Sequence, residues 1–178
     1  MYISKYEATF NTIYLESDGE YLTGLWFKDS KDSKKHNLKD RIEKDLPIFD
    51  ETKKWLDIYF NGQKPNFTPK YKVNQTEFGQ EVIKIMEKIP YGEVTTYGGI
   101  AKEIAQKRNI KRMSSQAVGN AVGANPICII IPCHRVVGKD GNLTGYGGGL
   151  NNKVKLLETE GLDMSRFYMP KRRKNEKM

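Results

Sequence analysis

The segment Ile127-Cys128-Ile129-Ile130-Ile131-Pro132-Cys133-His134-Arg135-Val136 constrains this chain more than any other. Its unbroken apolar start reads as a buried strand. Pro132 ends that strand, because proline fixes its own φ and biases Ile131 towards extended backbone. Cys133 and His134 then stand where the chain leaves the core. A thiol with a base nearby is a nucleophile, since the thiolate is the reactive form. Adjacent side chains point to opposite faces of a strand and do not face each other on a helix. A direct Cys133–His134 ion pair is therefore disfavoured, and a bridging water is the expected proton route. Read alone, the dipeptide is a buried structural cysteine beside a surface histidine, because free cysteine mostly behaves as a small hydrophobe.

The flanking blocks change that reading. Upstream stands Ser114-Ser115-Gln116-Ala117-Val118-Gly119-Asn120-Ala121-Val122-Gly123-Ala124-Asn125-Pro126. Downstream stand Leu143-Thr144-Gly145-Tyr146-Gly147-Gly148-Gly149-Leu150 and Leu156-Leu157-Glu158-Thr159-Glu160-Gly161. In this order and spacing the chain closely resembles the O6-alkylguanine-DNA alkyltransferases, the methylated-DNA–protein-cysteine methyltransferases. The resemblance runs from about Thr76 to Gly161, and its central block matches the family's active-site signature.

The resemblance implies that Cys133 accepts an alkyl group from O6 of guanine, with His134 as base through water and Glu160 orienting His134. Asn125 matches a residue that braces the turn, and Tyr97 one that helps rotate the damaged nucleotide out and hydrogen-bonds near O6. Tyr146, Gly147 and Gly148 match the loop that closes over the base. The carbonyls of Cys133 and Val136 would accept from the exocyclic amine. DNA contacts are expected at Thr95, Thr96, Gly98, Arg112, Ser114, Ser115, Gln116, Ala117, Asn120 and Arg135. The partner is double-stranded DNA carrying O6-alkylguanine, or O4-alkylthymine, met through the minor groove. No cofactor and no metal are expected, and the protein is expected to be a cytoplasmic monomer.

The implied chemistry is sound. A methyl group on oxygen is an electrophile for a soft thiolate, and a proton or hydrogen bond improves the leaving guanine. The target atom lies inside the duplex, so the base must be flipped at a cost of a few kcal/mol. The thioether product is not reversed by cell reductants, so each molecule acts once. Glu160 would ordinarily be a solvated charge opposing the helix dipole. It continues the apolar stripe of Leu150, Val154 and Leu157, however, and so points inward.

The chain departs from the family pattern at two places. The recognition helix usually begins with an arginine that enters the base stack, and here Gln116 stands there. Arg112 is the candidate substitute. Gly147 stands where some members have serine, which removes a hydroxyl contact and suggests room for bulkier alkyl groups.

The formal charge of +8 suggests a polyanion partner, but +5 of it falls in residues 166–178, around Lys171-Arg172-Arg173-Lys174. That tail is expected to be disordered and to add only non-specific phosphate attraction. Lys107, Arg108, Lys111 and Arg112 flank the recognition helix and are better placed. Two cysteines make no disulfide framework, and a Cys128–Cys133 bridge would abolish the nucleophile, so Cys128 reads as core. Cys128, Cys133 and His134 lack a fourth partner at ligand spacing. No apolar run is long enough to cross a membrane, and Met1-Tyr2-Ile3-Ser4-Lys5 lacks a secretory pattern.

The expected fold is mixed α/β (α+β). Residues 1–74 make a small sheet-plus-helix domain, of ribonuclease-H-like shape by resemblance. Within it, the segment Tyr2–Phe27 reads as two strands, with Ala8, Phe10, Thr12 and Tyr14 alternating, an Asp18-Gly19 turn and Tyr21–Phe27 returning; Lys28–Asn37 reads as a mobile loop, Leu46–Phe60 as a helix and Gln63–Val73 as a linker. Residues 75–165 make a mostly helical domain whose helices start at caps Thr76, Thr96 and Ser114 or Ser115, the last two forming a helix-turn-helix. Competing readings are a non-catalytic damage-binding relative, disfavoured by the presence of Cys133; a cysteine hydrolase, for which His36 is the only other base of its kind; and a thiol-sensing regulator.

Overall fold

A computed structural model describes residues 1–169, so Lys171-Arg172-Arg173-Lys174 lie outside the described residues; the start of the tail expected to be disordered is instead ordered, with Leu143 N–H donating to the Tyr168 carbonyl at 2.9 Å and Tyr168 N–H to that of Gly141 at 3.1 Å. The first part is a four-stranded sheet in the order β3-β2-β1-β4, comprising β1 (Tyr2–Glu7), β2 (Thr12–Ser17), β3 (Leu22–Phe27) and the two-residue β4 (Ile42–Glu43). The segment Tyr2–Phe27, read from the sequence as two strands, holds three, because the chain turns after β1, where Ala8 N–H donates to the Asn11 carbonyl at 3.0 Å. Ile13 and Leu15 are the buried residues of the resulting alternation, while Tyr14 stacks on Trp26. Helix α1 (Pro47–Phe60) begins with proline, whose missing N–H costs nothing in a first turn. It buries Phe49, Trp55, Leu56 and Tyr59 against the sheet and the second half of the chain.

Lys28–Asn37 is not a loose loop. A 3-10 turn at Asp32–Lys35 is pinned because Ser30 donates to the Phe27 carbonyl at 2.7 Å and Asp32 N–H to the Gly147 carbonyl at 3.2 Å. The extended stretch after α1 docks along β3, where Leu22 N–H donates to the Lys70 carbonyl and Lys72 N–H to that of Leu22, both at 2.9 Å.

The second part holds α2 (Glu77–Glu87), α3 (Tyr97–Lys107), α4 (Ser115–Gly123) and α5 (Leu150–Thr159). The hydroxyls of Thr76, Thr96 and Ser114 accept from Gly79, Gly99 and Ala117 N–H, each satisfying an orphan donor of a first turn. Small parallel strands β5 (Thr95–Thr96) and β6 (Val136–Val137) tie the start of α3 to the residues just after Cys133. In α5 the fully buried positions are Lys153, Leu156 and Leu157, whereas Leu150 and Val154 are only partly buried. Among the described residues no helix is long and apolar enough to cross a membrane.

The apolar run Ile127–Ile131 is not a strand. It makes one bridge to Leu25 and then curls, with Ile129 at φ 71°, a left-handed conformation costly for a β-branched residue. Asn125 holds the curl. Its amide donates to the carbonyls of Ile127 at 3.2 Å and Ile131 at 3.0 Å, and its oxygen accepts from Ile127 N–H at 3.0 Å. A side chain here supplies the hydrogen bonds that a neighbouring strand would otherwise give.

Candidate active site

Cys133 opens a 3-10 turn, Cys133–Arg135, immediately after the curl. The turn buries Cys133, His134 and Arg135 together. Its tightness sends successive side chains in different directions, and His134 meets the C-terminal end of α5 rather than Cys133. His134 Nε2 lies 2.5 Å from Glu160 Oε2. Burial lowers the His134 pKa, and the Glu160 carboxylate opposes this without reversing it. The neutral ring then carries its hydrogen on Nε2, which leaves Nδ1 as an acceptor. Nδ1 is buried and has no partner among the described residues.

Glu160 caps α5 from just beyond its last turn. Oε2 also accepts from the Tyr59 hydroxyl at 2.7 Å. Oε1 accepts from Arg135 Nε at 2.8 Å and from Gly92 N–H at 2.9 Å. Burial alone would raise its pKa, but the bond from His134, the charge that ring carries once protonated in acid, and the charge of Arg135 hold it at about 2. Arg135, expected on the DNA face, is instead buried, and donates a further bond to the Ile89 carbonyl at 2.8 Å. Its partner Glu160 and the Ile89 carbonyl take it inward. Tyr59 had no signal in the sequence, because nothing local distinguishes it from a core aromatic.

The Cys133 pKa is lowered. The hydrogen bond with Cys128 contributes most, with Asn125 and the Lys153 charge adding to it against burial and Asp32. Lys153 is a second residue absent from the sequence reading. Its ammonium donates to the carbonyl of Val136 at 2.7 Å and reaches that of Thr144 at 3.4 Å. Burial pushes its pKa down to about 8, and the neighbouring Cys133 charge opposes that. The Val136 carbonyl thus already accepts one bond and keeps one lone pair free. Cys133's own carbonyl accepts from Val136 N–H.

Tyr97, at the first position of α3, donates to the Thr144 carbonyl at 3.1 Å. Burial, and then the Cys133 charge, push its pKa up to about 12, so it remains a donor. Tyr146 is buried beside Cys128 and Cys133. Gly148 is required there, since a Cβ would lie 2.5 Å from the Tyr146 ring. Gly147 is not an opening for larger groups. The Asp32 carboxylate fills that space, 2.5 Å from where a Cβ would stand.

An open cleft of about 910 Å3 lies between α3, α4 and the Gly138–Gly145 loop and is bounded by Tyr97 and Thr144. Thr96, Tyr97, Gly98, Ser115, Gln116 and Asn120 line it. Gln116 and Asn120 are exposed one helical turn apart on α4, while Val118 and Val122 face the core. Ala117 is partly buried, and Thr95 pairs with Val136 in the small sheet. Arg112 and the cap residue Ser114 are exposed on the approach to α4. Arg108 is tied to Glu81 at 2.5 Å. Among the described residues no group of three His, Cys, Asp or Glu side chains is arranged to hold a metal.

Residues 77–162 match the family of the 6-O-methylguanine DNA methyltransferase DNA binding domain, and residues 1–72 that of the 6-O-methylguanine DNA methyltransferase ribonuclease-like domain. The chain is 40% identical over 161 residues to the methylated-DNA–protein-cysteine methyltransferase of Methanosarcina acetivorans, covering 90% of this chain and 99% of that protein. It is 38% identical over 161 residues to the protein so named from Haemophilus influenzae, covering 90% of this chain and 86% of that one. Its fold matches the crystal structure of Mycobacterium tuberculosis OGT in complex with DNA with a TM-score of 0.77 at 35% identity, over 94% of this chain and 95% of that one. With both halves of the chain matched, and full-length relatives at this identity, the chain belongs to the 6-O-methylguanine DNA methyltransferase family.

Proposed function

We propose that this protein repairs DNA by transferring the alkyl group from O6 of guanine, and from O4 of thymine where it fits, to Cys133, once per molecule. The observation that carries this is the buried sequence Cys133, His134, Glu160, in which a neutral histidine is fixed through Nε2 and offers Nδ1. A water between the Cys133 sulfur and Nδ1 takes the thiol proton to His134. The thiolate attacks the O-alkyl carbon, the S–C bond forms and the O–C bond breaks. Guanine leaves with the electron pair and is reprotonated, with the Tyr97 hydroxyl as the nearby donor. The Val136 carbonyl, through its free lone pair, and the Cys133 carbonyl select the exocyclic amine.

The cleft beside α4 suits a minor-groove docking with the damaged base turned into the site. Gln116 is the candidate wedge. Thr95, Thr96, Gly98, Ser114, Ser115, Ala117, Asn120 and Arg112 are candidate backbone contacts, and Tyr146, Gly147 and Gly148 the roof over the base. In this reading residues 75–165 carry the chemistry, residues 1–74 support it, and the protein acts as a monomer on chromosomal DNA in the cytoplasm. The test is intact mass after mixing with a duplex containing one O6-methylguanine. A gain of one methylene unit, mapped to Cys133 and saturating at one per protein, supports the reading. Tight binding to the damaged duplex with no gain overturns it in favour of a non-catalytic damage sensor.

A further inference from the structure

The run Tyr146-Gly147-Gly148-Gly149 ends in three glycines, the residue type that loses most conformational freedom on being fixed. Every carbonyl of the run nevertheless has a partner. That of Tyr146 accepts from Gly149 N–H at 3.1 Å and that of Gly149 from Lys153 N–H at 3.0 Å, both within the second half. The other two are reached from the first half. The Gly147 carbonyl accepts from Asp32 N–H at 3.2 Å. The Gly148 carbonyl accepts from Asn152 Nδ2 at 2.7 Å, and Asn152 Oδ1 accepts in turn from Asn11 Nδ2 at 3.3 Å. The Asn11 oxygen is taken by Thr12 N–H at 2.8 Å, which leaves its amide hydrogens to face Asn152.

Asp32 holds Gly147 by shape as well as by its backbone. Its Oδ1 lies 2.5 Å from where a Gly147 Cβ would stand, and the residue is 6% exposed. The carboxylate is kept in that hollow by the Cys128 thiol, which donates to Oδ2 at 3.4 Å, and by the Lys35 ammonium, 3.3 Å from Oδ1. Fit thus demands glycine at 147, against Asp32, and at 148, against the Tyr146 ring, while Gly149 stands at φ 98°. A segment of this composition has no stiffness of its own, and its order must come from what grips it. We propose that Asp32 and Asn11 are positioning residues for the roof: the first half of the chain clamps the glycine run at Gly147 and, through Asn152, at Gly148, and so sets its place over the flipped base. The inference rests on the reading of this run as the roof over the base. The clamp acts through the run, so its loss should slow alkyl transfer without disabling the thiol.

The first measurement needs no DNA. Backbone hydrogen exchange is followed across residues 144–150, and across α2 as the control, in the wild type, Asn11→Ala, Asp32→Gly and Asp32→Asn. Asn11→Ala and Asp32→Gly should raise exchange in the roof by about tenfold and leave α2 unchanged. Asp32→Asn, which keeps the backbone bond and the shape, should stay within about twofold of the wild type. Gly147→Ala should speed roof exchange in the wild type and add nothing further in the Asp32→Gly background, the non-additivity expected of one shared contact. Single-turnover methyl transfer from a duplex carrying O6-methylguanine is then timed against duplex concentration. In Asn11→Ala and Asp32→Gly the saturating rate should fall by about tenfold and the half-saturating concentration stay within about twofold. The rate of Cys133 with iodoacetamide, which needs no roof, should not fall. Roof exchange unchanged in both variants, or raised equally in α2, overturns the proposal, as does an equal effect of Gly147→Ala in the two backgrounds. Should Asp32→Gly fail to fold, unchanged roof exchange in Asn11→Ala overturns it alone. A loosened roof in a protein that takes no methyl group from the duplex would leave the clamp standing and remove the repair reading. Methyl transfer with an unmoved roof would do the reverse.

Discussion

The hydroxyl of Tyr59 and the carboxylate of Glu160 lie 2.7 Å apart in the core although 101 positions separate them in sequence. Helix α1 thereby reaches into the relay of the second half. Tyr59→Phe removes one donor from Glu160 and leaves the ring packing intact. The carboxylate then holds the His134 hydrogen more strongly, and His134 becomes easier to protonate. The acid limb of the methyl-transfer rate profile is expected to move to higher pH, and urea denaturation to show a loss of about 2 kcal/mol. An unchanged profile with only the stability loss would make Tyr59 a packing residue.

Glu160 also fixes an acid sensitivity. Its folded pKa of about 2 lies below the value of about 4.3 for an unfolded glutamate. The stability it contributes is therefore complete above that unfolded value, and is lost as pH falls towards the folded one. In Glu160→Gln the fall in unfolding free energy over that window should be shallower than in the wild type. At neutral pH the variant should be less stable, with Arg135 left unpaired, and methyl transfer should slow by about a hundredfold or more.

Lys153 gives the same direction of pH dependence in an alkaline window. Its folded pKa of about 8 lies below the usual lysine value of about 10.4. The unfolded chain binds the extra proton between those values, so the wild type should gain stability as pH rises through that window. Lys153→Met should abolish this gain. It should also leave the Val136 carbonyl without its buried donor, which costs about 1–3 kcal/mol at neutral pH less whatever is recovered by removing the buried charge. Denaturation curves at a series of pH values separate the two effects.

Gln116 stands exposed in the wall of the cleft, at the position where the resemblance implies an arginine. Gln116→Arg should raise the rate on duplex DNA severalfold and leave the reaction with free O6-benzylguanine unchanged. Equal acceleration of both would place the effect in the chemistry and not in base extrusion.

Helices α2, α3 and α4 were legible because each starts with a hydroxyl cap, at Thr76, Thr96 or Ser114, a signal written within four residues. Cys133, His134 and Glu160 were legible as a motif through resemblance. What stayed hidden depends on distant partners. Ile127–Ile131 has the composition of a strand, and only the Asn125 side chain makes it curl. Lys153 looks like a solvent-facing helix residue until the Val136 carbonyl is placed beneath it. Arg135 reads as a phosphate contact until Glu160 turns it inward. Asp32 lies in a run of charges and serines, with nothing local to say that one carboxylate is buried against Cys128.

Both oxygens of Glu160 are occupied, by Arg135 and Gly92 on one and by Tyr59 and His134 on the other, so the carboxylate is fastened from several stretches of chain at once. A group held in this way has neither the freedom nor the basicity to take a proton onward. For a proton arriving on His134, Glu160 is a closed end. It waits on the ring and returns by the side it entered, towards the substrate. Under the proposed mechanism the thiol's hydrogen is thereby kept inside the site until the departing base is ready to receive one.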